Sequence, residues 1–301
     1  MKNILVIGST NTDMVVKSPR FPKPGETILG GEFHVFPGGK GANQAVAAAR
    51  LGGEVTFITK LGDDGFGAQA REGLARENIC TDYILTDPAA PSGVALITVN
   101  AEGENTIVVA SGANDRLQPS EIMEMDTAFG KAEIILMQLE IPMVTVEQAI
   151  VKAHDLGKKI ILNPAPAQTI RTEFLNKIFL LTPNETEAGI LSGCPVTDLE
   201  SARIAAEKLI TLGVKNVIIT MGSSGAFFKN ETDEFLVPAF PVKPVDTTAA
   251  GDVFNGAIAV ALAAGQDWPE AIRFANRAAA ISVTRMGAQS SAPTAGELLL
   301  P

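Results

Sequence analysis

Histidine is nearly missing from this chain: His34 and His154 are all it has. Two residues so far apart build neither a Ser-His-Asp triad nor a zinc site, and His154 falls on a predicted helix facing solvent. Cysteine is as scarce. Cys80 and Cys194 stand alone with no C-x-x-C pair. That excludes a disulfide framework and a structural zinc cluster, and points to two reduced thiols. Basic residues are outnumbered, 24 Lys and Arg against 34 Asp and Glu, and the net charge is −10. With no basic run either, a nucleic-acid partner read through its phosphates is excluded. No apolar run reaches the length of a membrane span. Residues 4–7 are too short a run for a signal peptide. The expectation is a soluble, cytoplasmic protein with no nucleic-acid and no membrane partner. The phosphate loop Gly-x-x-x-x-Gly-Lys-[Ser/Thr] is absent too, as are internal repeats and a disordered tail.

What is present is 301 residues, 46% of them hydrophobic, enough for one large core. Short apolar runs at 4–7, 55–59, 134–137, 159–162, 179–182 and 216–220 read as strands buried on both faces. Helical stretches at 40–51, 68–77, 144–156, 199–212 and 253–264 alternate with them. The pattern predicts one α/β domain over 1–301, a mostly parallel sheet with helices on both faces. Two excursions break the rhythm. Residues 15–36 carry Pro19, Pro22, Pro24, Gly25, Gly30 and Gly31 and hold short strand-like pieces at 27–29 and 32–35. Residues 92–109 read as a hairpin, 94–99 and 106–109. Together they predict a small antiparallel sheet outside the main domain. Too thin to stand alone, it covers a site as a lid or pairs with a second subunit.

Polar clusters follow the predicted strands: Asn11 and Asp13, Glu140, Asn184 and Glu187, and the turn Thr220 to Gly225. In parallel sheets these ends converge on one edge, where ligands bind. Taken singly, Asp13 is equally a turn residue, Asp63 and Asp64 are turn and cap residues before they are metal ligands, and the 222–225 turn touches phosphates or is only tight. Asn184 and Glu187, one helical turn apart, either hold a hydrated Mg²⁺ or cap a helix. The Gly38-Gly39-Lys40 turn lets backbone approach a polar ligand, with Lys40 and Asn43 as donors. Most lysines are merely solvated. Ala249, Ala250, Gly251 and Asp252 form the first turn of the helix at 253–264, and its free N–H groups make an anion site. A carboxylate there is ordinarily a cap. After a Gly in an anion-binding turn, Asp252 is better explained as a base taking a proton from a substrate hydroxyl.

The stretch 246–256, Asp-Thr-Thr-Ala-Ala-Gly-Asp-Val-Phe-Asn-Gly, resembles the C-terminal signature of the ribokinase-like sugar kinases, the phosphofructokinase-B type. Residues 38–52 resemble their N-terminal signature. The runs 138–140, 163–166, 183–187 and 280–291 follow in order, so the likeness spans nearly the full chain. It implies a ribokinase-like fold and ATP-dependent phosphorylation of D-ribose at O5, with Asp252 as catalytic base. By the same resemblance Asn11, Asp13, Gly39, Lys40, Asn43 and Glu140 hold the sugar. Asn184, Thr220, Gly222, Ser223, Gly225, Gly251 and Asn276 hold ATP. Asp246, Thr248, Ser282, Arg285, Gly287 and Ser291 surround a monovalent cation, K⁺, largely through carbonyl oxygens, while Asn184 and Glu187 reach Mg²⁺ through water. A homodimer through the β lid is expected. Within the family, 2-deoxyribose, another sugar or a nucleoside are alternative substrates. A non-catalytic sugar-binding regulator on the same fold is the alternative of another class, and the intact Asp252 argues against it.

Overall fold

The computed structural model describes residues 3–29 and 31–299; Gly30, one of the chain-breaking glycines, lies outside them. Strands β1 (Asn3–Ile7), β4 (Glu54–Gly62), β5 (Ile84–Asp87), β8 (Ile134–Met137), β9 (Lys159–Leu162), β10 (Leu180–Leu181), β11 (Asn216–Thr220), β12 (Ala226–Asn230) and β13 (Glu234–Val237) form the main sheet. Its order is β13-β12-β11-β10-β9-β8-β1-β4-β5. The pairings from β11 across to β5 are parallel, and β12 and β13 extend that edge antiparallel. β1 alternates between two cores. Ile4 and Val6 enter one hydrophobic layer, Leu5 and Ile7 the other. A period of two with both faces apolar is what a central parallel strand requires. Each such side chain, fully buried, contributes roughly 1.5–3 kcal/mol.

Helices α1 (Lys40–Arg50), α9 (Ala250–Ala263) and α10 (Trp268–Ser282) cover the first layer. Helices α5 (Met143–Asp155) and α8 (Leu199–Thr211) cover the second, with α3 (Pro119–Met123), α4 (Asp126–Lys131), α6 (Thr172–Leu175) and α7 (Glu185–Ser192) shorter pieces of it. Helix α2 (Gly65–Arg76) begins three residues before its expected start, because Asp64 caps it by accepting from the Gly67 N–H at 2.8 Å. The hairpin β12–β13 and helix α10 are additions to the sequence reading. Asp267 capping Glu270, with Pro at the helix start, was the available signal for α10. Among the described residues no helix is long and apolar enough to cross a membrane.

The second sheet runs β3-β2-β6-β7, with β2 (Asn11–Lys17), β3 (Glu32–Gly38), β6 (Gly93–Val99) and β7 (Asn105–Ala110). β2–β3 and β6–β7 are antiparallel, and a parallel β2–β6 pairing joins them. Two expectations need correction. The lid starts at Asn11 rather than residue 15, so Asn11 and Asp13 are strand residues and not turn residues. Residues 27–29 are not a strand: β2 pairs 11–17 with 32–38, and Leu29 is 89% exposed.

Candidate active site

Strand order reverses beside β1: β4 lies on one side and β8 on the other. Such a switch point opens a crevice at the strand ends. Ser9, just after β1, donates its hydroxyl to Glu140 Oε2 at 2.6 Å, and the Lys40 backbone N–H donates to the same oxygen at 3.0 Å. So Glu140, β2 and the start of α1 meet where the two halves of the sheet part. Gly39 makes that possible. Its φ is 88°, and a Cβ there would lie 2.6 Å from the Asn11 backbone nitrogen.

Along β2, Asn11 and Asp13 share one face. Asn11 Oδ1 accepts from Asn114 Nδ2 at 2.8 Å, and Asn114 is itself locked to Thr10 through both its amide atoms. Asn11 is thereby left with its own amide N–H groups to offer. The Asp13 carboxyl is pushed up to about 6 by burial, with Glu140 and Asp252 adding repulsion that Lys40 only partly offsets. Asp252 is the largest of the influences holding the Lys40 ammonium charged, against the pull of burial, and Glu140, Glu187 and Asp13 reinforce it.

Helix α9 starts from Ala249, held left-handed at φ 61°. The Ala250 N–H donates to the Thr247 carbonyl over a long 3.3 Å. The helix geometry leaves the N–H groups of Gly251 and Asp252 without an intrahelical acceptor. Asp252 is 5% exposed, and each carboxylate oxygen is held: Asn43 Nδ2 donates to Oδ2 at 2.9 Å and Gln44 Nε2 to Oδ1 at 3.0 Å. Asn43 therefore spends a donor on Asp252, and its own Oδ1 is buried without a partner. A cavity of about 170 Å³ opens over this turn, lined by Lys40, Asn184, Glu187, Thr220, Gly251 and Asp252 among others. A neighbouring one of about 290 Å³ is lined by Asn11, Glu140 and the lid residue Val109.

Asn184 and Glu187 form a reciprocal capping box at the start of α7, at 2.8 and 2.9 Å. The capping reading is thus realised, and Glu187 still lines the cavity. Burial raises its carboxyl, with Asp252 adding to this against the Asn184 N–H and Lys40. A β-bridge sets Asn184 against Thr220, and Gly222–Ser224 follow as one 3-10 turn. Asn276 sits apart: its amide nitrogen reaches the Val237 and Pro238 carbonyls at 3.0 and 3.2 Å, tying α10 to β13.

The cation segments do meet. Asp246 accepts from the N–H groups of Thr248 and Gly287, both at 2.9 Å, and these bonds keep its carboxyl low although burial works to raise it. The hydroxyls of Ser282 and Ser291 turn onto nearby carbonyls, at Ala279 and Ala288. Arg285 turns away to pair with Glu297.

Sequence reading passed over Ser9, Gln44, Asn114, Gln138 and Asn163, each buried and polar. The signal for Gln44 was its place beside Asn43 and one turn after Lys40, on the polar face of the first turns of α1.

The pfkB family carbohydrate kinase pattern matches residues 1–295. A curated relative, "Ribokinase" of Haemophilus influenzae, is 46% identical over 298 residues, covering 99% of this chain and 97% of the relative. A "Deoxyribokinase" of Salmonella typhi is 41% identical over 97% of this chain and 96% of its own length. Among solved structures, "Arabidopsis thaliana Ribokinase complexed with Ribose and ATP" superposes with a TM-score of 0.92 at 34% identity, covering 98% of this chain and 97% of that one.

Proposed function

This chain belongs to the pfkB family of carbohydrate kinases, and from that premise we propose that it transfers the γ-phosphoryl group of ATP to O5 of D-ribose. The observation carrying this reading is Asp252: a buried carboxylate gripped at both oxygens by amides, on the first turn of α9, opening onto the cavity shared with Lys40, Asn184 and Thr220. Asn11, Asp13, Glu140 and the Gly39 backbone hold the sugar hydroxyls. Asp252 takes the proton of the 5-hydroxyl, and that oxygen attacks the γ-phosphorus in line. The N–H groups of Gly251 and Asp252 face the charge on the transferring group. Asn184, Thr220 and the 222–225 turn hold the nucleotide.

Mg²⁺ fits the donor set. Asp13, Glu140, Glu187 and Asp252 outnumber the single ammonium of Lys40, so a polyphosphate enters this cluster only with cations of its own. Among the described residues no group of three or more His, Cys, Asp and Glu could hold a metal. An ion of this kind would be bound mainly by phosphates and water, with Glu187 and Asn184 at its margin. K⁺ would sit at the junction of 246–248 with 282–291, held by carbonyls, where it would neutralise charge and stiffen the turn before Gly251. Apolar residues on the outside of the lid support a homodimer through that sheet.

One assay tests these points: turnover of wild type and Asp252→Asn with ATP and Mg²⁺, in K⁺ or in a bulky organic cation, on ribose, 2-deoxyribose and adenosine. Asp252→Asn should lose about 10²–10⁴-fold in kcat with ATP binding kept. K⁺ should raise wild-type turnover. kcat/KM should fall in the order ribose, 2-deoxyribose, adenosine. Near-normal turnover by the variant overturns the base, no response to K⁺ overturns the cation site, and better use of 2-deoxyribose overturns the sugar.

A further inference from the structure

Beneath Asp252 lies a file of buried amides that the reaction as described does not use. Gln44 makes three hydrogen bonds. Its nitrogen donates to Asp252 Oδ1 and to Asn163 Oδ1, both at 3.0 Å, and its oxygen accepts from Gln138 Nε2 at 2.6 Å. Asn163 in turn donates its nitrogen to the Thr182 carbonyl at 3.1 Å. A backbone carbonyl only accepts, so it fixes which end of Asn163 is nitrogen. That leaves the Asn163 oxygen facing Gln44, and so fixes Gln44 as well. Turning Gln44 over would set its oxygen against both the Asp252 carboxylate and the Asn163 oxygen, and its nitrogen against the Gln138 nitrogen. Three bonds would become three repulsions.

The arrangement is kept at a cost. Gln44 and Gln138 are both 0% exposed, and Gln138 Oε1 has no hydrogen-bond partner. A buried amide oxygen left unmet is destabilising. Room for it exists only because residue 8 lacks a side chain: a Cβ on Gly8 would stand 2.0 Å from that oxygen. An apolar residue at 138 would fill the same space without the orphan. What the amide adds is the donor that holds the Gln44 oxygen, and through it the direction of the Gln44 nitrogen.

We propose that Gln44 is a positioning residue for the catalytic base, that Gln138 and Asn163 fix its orientation, and that together they hold the Asp252 carboxylate in one rotamer with a lone pair turned to the sugar hydroxyl. The inference rests on Asp252 being the base. Charged groups around Asp252 are Lys40 on α1, Asp13 on β2 and Glu187 on α7, with Glu140 beyond them. The hydrogen bond on Asp252 Oδ1 comes from the neutral Gln44 amide and not from any of these charged groups. A hydrogen bond to an ionised carboxylate favours the ionised form. Losing it therefore removes a donor to the ionised carboxylate as well as loosening geometry.

The test is Gln44→Met, matched in length and without a donor. kcat at saturating ribose and ATP should fall about tenfold or more, since small misplacements of reacting groups are costly. The acid limb of kcat should move to higher pH relative to wild type, with KM for ATP unchanged. Reading kcat at saturation separates this limb from sugar binding by Asp13. A purely structural Gln44 would lower the melting temperature and leave the acid limb in place, and that result overturns the proposal. If Gln44→Met does not fold, Gln138→Met decides, since Gln138 does not touch Asp252. It should shift the limb the same way by less, and a wild-type limb and kcat overturn the proposal. Asp252→Asn separates the two failures. Normal turnover there removes the base itself, whereas lost turnover beside unshifted limbs in the amide variants removes only the positioning role.

Discussion

Asp13 illustrates how a single residue exchanges stability for a site. Burial and the neighbouring carboxylates push its carboxyl up to about 6 from 3.8. Between those values the folded chain keeps a proton that the unfolded chain has released, so rising pH lowers stability across that window. Above about 6 the whole penalty is present, on the order of 3 kcal/mol from the size of the shift. Asp13→Asn should therefore raise the melting temperature by a few degrees at pH 8 and by less at pH 5. A melting curve unchanged at pH 8 would count against it. The same ionisation should appear in binding. KM for ribose is expected to rise as pH falls through about 6, because a protonated carboxyl gives up acceptor capacity, and Asp13→Asn should flatten that dependence. Asn11 beside it was legible as a polar residue at a strand end. Its lock, Asn114 from 103 residues further on, was not, since nothing local connects the two.

At the scale of elements the site depends on how closely α1 and α9 approach. Gly256 sits on α9 where a Cβ would fall 2.7 Å from the Ala47 Cβ and 2.8 Å from the Gln44 carbonyl oxygen on α1. The small residues Ala45, Ala47 and Ala48 of α1 and Ala257 and Ala261 of α9 are buried in one core. This contact brings Asn43 and Gln44 within hydrogen-bond reach of Asp252, 208 or more positions away. Gly256→Ala should cost about 1–3 kcal/mol by overpacking and should lower kcat more than KM, because it pushes Asp252, the proposed base, away from its amides. Wild-type kcat with a lowered melting temperature would show that the helices adjust without disturbing Asp252. The apolar run of α9 announced a buried helix. Which residue its Asp would meet depended on a helix pair that sequence periodicity does not name.

For the whole molecule the four-stranded sheet is the element that we propose serves both as a lid and as a subunit interface. Its inner face follows Asn11 and Asp13 through Ala95 and Ile97 to Val109 and Ile107, in cross-strand register. Its outer face carries Val16, Phe33, Val35, Leu96 and Val108, between 39 and 66% exposed. An apolar face of that extent marks an interaction surface, and a four-stranded sheet with both faces apolar needs cover on each. Wild type should sediment as a dimer at micromolar concentration. Leu96→Glu should shift it to monomer and weaken ribose binding, while Asp252→Asn stays dimeric. A wild-type monomer with or without ribose would overturn this role of the outer face.

The order of strands and helices, the parallel sheet, the two excursions and the acidic residue on an anion-binding turn were determined by the chain's local pattern. Each is written in short-range terms: alternation within a strand, glycine before a helix, proline breaking an excursion. Tertiary structure alone decided which polar groups touch. Gln44, Gln138 and Asn163 come from three distant segments, and only the tertiary packing that sets the start of α1 beside the segments following β8 and β9 makes them neighbours. It also decided between readings that local chemistry left open. Asp64 caps a helix, Asn184 and Glu187 cap one and still face the cavity, and Asn276 ties α10 to β13. The physical reason is the range of the forces. Backbone propensity and hydrophobic period act over a few residues and can be read in order, whereas the burial of a polar group is settled by whichever partner the folded chain brings within about 3 Å.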